Sequence, residues 1–101
     1  MTDMTDSELD EIEQRAAATT PGPWTAYIEG RDHTSGDDFI MIGEPGTAQI
    51  DVYVTHYSGT SPKPAPDADL DFIAHARRDI PQLVAEIRRL RSQSTGGHQA
   101  D

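Results

Sequence analysis

Thr19-Thr20-Pro21-Gly22-Pro23-Trp24 separates two kinds of sequence, and the fold is read from what lies on either side of it. The prolines and the glycine stop a helix, because proline lacks a backbone N–H and clashes with the preceding turn. On the N-terminal side, Ser7 to Ala18 carries Leu9, Ile12 and Ala16 at the spacing of one helical face. Asp6 or Ser7 is expected to cap that helix, and Glu8, Asp10 and Glu11 suit its positive end. On the other side stand three short runs suited to strands: Trp24 to Glu29, Asp38 to Ile42 and Gln49 to Tyr57. In the third, Ile50, Val52 and Val54 alternate with polar or aromatic residues, which places the aliphatic side chains on one face. The second, Phe39-Ile40-Met41-Ile42, is apolar on both faces and is expected in the centre of the sheet. Trp24 is expected to anchor the turn by burying its ring between helix and sheet.

Ser58 to Pro66 holds three prolines and predicts a stiff, extended linker. Beyond it Leu70, Ile73 and Ala76 form one apolar row with Phe72 beside it, and Ile80, Leu83, Val84, Ile87 and Leu90 form another. Pro81 interrupts the ladder between the rows, so Asp67 to Arg91 predicts either a kinked helix or two helices meeting near Arg78, with Asp79 as a new cap. The fold class that results is α+β in the order α-β-β-β-α. An antiparallel three-stranded sheet packs against the N- and C-terminal helices, with Trp24, Phe72, Ile73, Leu83 and Ile87 in the core. Residues 7–91 are expected to form this single domain, and residues 1–6 and 92–101 to be disordered.

The hydrophobic fraction of 35% is low beside the about 45–50% usual when glycine is counted. Polar ends and a Gly/Pro-rich middle account for much of the deficit. With no cysteine, thiolate metal sites, disulfides and cysteine nucleophiles are excluded. The first residues lack the basic and apolar regions of a secretory signal. The longest apolar run, Phe39 to Ile42, is far short of the ~20 residues that cross a bilayer. A cytoplasmic protein with no membrane contact is the expectation.

The net charge of −10 is unevenly distributed. Up to Ala76 there are 15 acids against Arg15, Arg31 and Lys63; after it, five arginines stand against three acids. Such a chain is repelled by nucleic acid except at its last helix. Solubility explains the acidity; imitation of DNA to occupy a basic partner is the sharper alternative.

No catalytic constellation emerges. Asp67, Asp69 and Asp71 open like a calcium loop, but Phe72 stands where a turn-making glycine belongs and Arg78 where a bidentate glutamate belongs. Helix capping explains these carboxylates, and no metal or other cofactor is expected. His33, His56, His75 and His98 show no paired spacing, and HExxH, phosphate-loop and GxSxG motifs are missing. Arg77 and Arg78 are candidates for a small anionic ligand, since guanidinium is a forked donor; a solvated helix face that offsets the acidic first helix is the plainer explanation. Asp10 and Glu11 on the first helix, and Arg31, Asp37 and Asp38 in the loop between the first two strands, are candidates for a protein-contact surface, together with Ser58 to Pro66. The Ile80-to-Leu90 stripe is wide enough to serve the sheet and a second copy of the chain.

Two blocks carry a resemblance. Ser7 to Trp24, ending in Thr20-Pro21-Gly22-Pro23-Trp24, and Ala68 to Arg91, opening with Ala68-Asp69-Leu70-Asp71-Phe72-Ile73-Ala74, are similar to small uncharacterised proteins of actinobacterial phages, prophages and their hosts. More loosely, the chain resembles early-region accessory proteins of lambdoid phages. The resemblance implies an accessory product without an assigned activity and supplies no site residue. Function is therefore expected to be non-enzymatic, through binding of a host or phage protein, with a homodimer as the working assembly. Sequestering a small anion such as a signalling nucleotide, or acidic DNA mimicry, are the alternatives.

Overall fold

Alternation along three strands builds the sheet. The computed structural model describes residues 3–99, with side chains as far as residue 93. The element order is α1 (Asp6–Ala17), β1 (Trp24–Tyr27), β2 (Phe39–Ile42), β3 (Ile50–Val52), β4 (Thr55–Ser58), β5 (Ser61–Pro64) and α2 (Asp67–Gln99). This is an α+β fold, as expected. The chain divides into two compact units, 20–77 and a helical one made of 1–19 and 78–101.

In the unit 20–77, β2 is the central strand of an antiparallel sheet ordered β1-β2-β3. Ala26 pairs with Ile40 and Ile40 with Val52, so one face of the sheet gathers Ala26, Ile28, Ile40 and Ile42. Ala65, Leu70 and Ala74 complete that core, with Trp24, Val52, Val54 and Ile73 packed against it. The other face explains why β2 is apolar on both sides. Phe39 stacks on Tyr27, its cross-strand partner, at 5.7 Å between ring centroids and lies 5.6 Å from the ring of Tyr53. Trp24 donates its indole N–H to the carbonyl of Thr20 at 2.9 Å.

The third expected strand is corrected. It ends at Val52, and β4 turns back through Gly59 to pair with β5 in a separate two-stranded sheet. Gly59 has φ 66°, a backbone that only glycine adopts freely, and the register Ser58 with Ser61 leaves a two-residue turn. The expected linker therefore contains a strand. Its prolines prefer extended backbone and forfeit only the N–H bonds of an edge.

In the helical unit, Thr5 rather than Asp6 or Ser7 caps α1. Glu8 N–H donates to Thr5 Oγ1 at 3.0 Å and Thr5 N–H to Glu8 Oε1 at 2.8 Å, a reciprocal capping box. Leu9 and Val84 are buried. Arg88 bridges Asp10 at 2.7 Å and Glu13 at 3.2 Å, and Arg91 bonds Asp6 at 2.8 Å and the carbonyl of Met4.

The choice between one kinked helix and two is settled as one helix containing Pro81, so Asp79 is interior rather than a cap. Pro81 has no N–H for the carbonyl of Arg77, and the division between the two units falls at that missing rung. The helix also continues past Arg91 to Gln99, through much of the segment expected to be disordered; residues 1–2 and 100–101 lie outside the described ones. Three expected core residues are corrected as well: Phe72 is 75% exposed and Leu83 56%, and Ile87 is only half-buried and outside the core. Leu70 and Ala74 take the sheet-facing positions, which turns Phe72 outward on the helix.

Candidate functional site

The loop between β1 and β2 is held by its own polar groups. Asp32 accepts the N–H of Ile28 at 2.9 Å, Asp38 that of Glu29 at 2.8 Å, and Glu29 that of Gly36 at 2.6 Å. Gly30 and Gly36, at φ 82° and 105°, supply the left-handed turns. Arg31 then ties the loop to α2 through two bonds to Asp71, at 2.9 and 3.0 Å, while its Nε bonds Asp32 at 3.0 Å. The guanidinium hydrogen bonds hold the carboxyls of Asp71 and Asp32 below the usual carboxylate range, the Ile28 N–H adding to the effect at Asp32, and they raise Arg31 in turn.

This fixed loop forms one wall of a cleft of about 480 Å³. Glu29, Asp37 and Asp38 line the loop side; Tyr53, Thr55 and Lys63 face them, with Pro62 and Pro64 at the hairpin rim. Among the described residues Asp37 and Lys63 have no ion-pair partner, and Tyr53 is 56% exposed. The cleft thus offers unpaired charge of both signs beside an aromatic ring and stiff proline backbone.

The sequence-derived candidates are distributed as follows. Asp37 and Asp38 meet in the cleft wall, and the two loops named as a contact surface are brought together there. Arg31 acts on Asp71 and Asp32 instead of facing the cleft. Asp10 is engaged by Arg88, and Glu11 is exposed. Arg77 is half-buried with its Nε unpartnered, whereas Arg78 is exposed, 4.0 Å from Asp79.

Of the histidines, His33 accepts the N–H of Ser35 on Nδ1 at 3.0 Å, His56 meets Asp69 at 3.0 Å, and His75 Nδ1–H donates to the carbonyl of Asp71 at 2.8 Å. Each is bound separately; no three metal-ligating side chains converge among the described residues. Glu29, Tyr53 and Lys63 were not singled out from sequence. Tyr53 had a signal, its outward place in an alternating run, while Glu29 and Lys63 become neighbours only through the hairpin.

No family model matches the chain, and no curated protein or solved structure matches it either. Among the described residues no helix is long and apolar enough to cross a membrane.

Proposed function

We propose that this chain is a non-enzymatic accessory protein of the phage or prophage type, working in the cytoplasm by binding another protein and assembling as a homodimer. The observation that carries the binding reading is the cleft between the Arg31–Asp71-tied loop and the β4–β5 hairpin. Its walls are preorganised by internal hydrogen bonds, so little order has to be gained on binding. Unpaired Asp37 and Lys63, with the half-exposed ring of Tyr53 between loop and hairpin, supply the mix of charge and aromatic surface that protein contacts favour.

Native mass spectrometry on tagged protein recovered from an actinobacterial lysate tests this. A protein-sized added mass, lost when Asp37→Lys and Asp38→Lys are combined, is the expected result. An added mass of a small molecule, abolished by Arg77→Ala, would replace the reading with anion sequestration. Recovery without any added mass would remove both.

A further inference from the structure

Ile80, Leu83, Ile87 and Leu90 follow one another at spacings of three, four and three, the seam of a heptad repeat with Ile at a and Leu at d. One flank of this seam is occupied inside the helical unit. Val84 is buried at 3% exposure and α1's Leu9 at 0%, and Arg88 and Arg91 reach the acids of α1. The other flank is not covered among the described residues: Leu83 is 56% and Leu90 51% exposed, with Ile80 and Ile87 only half-buried between them.

We propose that this face pairs in parallel with the same face of a second copy. The inference rests on the homodimer part of the reading above and gives it a surface and a direction. Three features choose the occupant. The β-branched residues at a with leucines at d favour two strands over three or four. The flanking charges are self-complementary in a parallel pair, because Glu86 at g of one helix lies beside Arg91 at e of the next heptad of the other. In an antiparallel pair g faces g, which sets Glu86 and Asp79 against acids of the same kind. Pro81 falls at b, away from the seam, so the helix breaker does not enter the contact. Pairing asks Glu86 to exchange Arg89 of its own exposed surface for Arg91 of the second copy, and Arg91 to turn from Asp6 and the Met4 carbonyl toward it.

The test uses the purified full chain, without any other protein, in sedimentation equilibrium over a wide concentration range. A reversible dimer is expected. Leu83→Glu combined with Leu90→Glu should weaken it by more than about a hundredfold while circular dichroism keeps its helical signal. Glu86→Arg should weaken it by about tenfold. Because the chain has no cysteine, Leu90→Cys reports direction: oxidation should link nearly all the dimer in a parallel pair, where position d meets d. A monomer at every concentration overturns both the inference and the homodimer reading. A dimer indifferent to the leucine variants overturns the seam alone. A seam-dependent dimer that neither cross-links through Leu90→Cys nor responds to Glu86→Arg overturns the parallel alignment. None of these outcomes alters the partner-binding reading, which the cleft variants address separately.

Discussion

A Cβ on Gly22 would lie 2.9 Å from the backbone nitrogen of Trp24 and against its indole ring, so the turn closes only because the side chain is missing there. Gly22→Ala is expected to cost about 1–3 kcal/mol through forced displacement of the ring, measured by urea unfolding. At Asp71 the prediction concerns pH. Its folded carboxyl titrates below the unfolded value of about 3.9, so its contribution is complete above that value and is lost as pH falls through the lower, folded one. Asp71→Asn should therefore be less stable than the parent at pH 7, and the difference should close in strong acid; unfolding curves at pH 7 and below pH 3 check it. The anchoring role of Trp24 was legible in the sequence, since a lone indole after a Pro-Gly-Pro break has few other uses. The Arg31–Asp71 pair was not, because 40 residues separate the partners and only the fold joins them.

Each element was legible to the degree that its signal was local. The helices, the breaker and the central place of β2 follow from spacing and composition over a few residues. The cap of α1 was misplaced because several capping residue types stand in a row, and only the reciprocal bond of Glu8 selects Thr5. Thr5→Ala should cost about 1 kcal/mol, read from the thermal midpoint. The apolar arc of α2 is wider than the sheet can cover, so spacing alone could not say which part is buried. The structure chooses Leu70 and Ala74, leaving Phe72 outside. Leu70→Ala should accordingly cost about 2–5 kcal/mol in chemical unfolding, with Phe72→Ala within about 0.5 kcal/mol of the parent. The β4–β5 hairpin, and with it half of the cleft, was hidden because proline-rich sequence reads as linker until a partner strand is in place.

At the scale of the whole molecule, buried side chains fall in both units of one chain: the core cluster around Ile40 and Leu70 in 20–77, and Leu9 and Val84 in the helical unit. The acid-rich composition did not reveal this division, which follows from the long-range course of α2 and the missing rung at Pro81. Trp24 is the only tryptophan, and it packs on that core cluster. The protein consequently carries its own optical label. Indole emission follows the unit 20–77, whereas ellipticity at the helical band weighs α1 and the long α2, so two spectroscopic channels read different parts of one unlabelled molecule. Leu70→Ala should move the emission midpoint further than the ellipticity midpoint, and Leu9→Ala should do the reverse. Equal displacement in both channels would show instead that the chain melts as a single cooperative body.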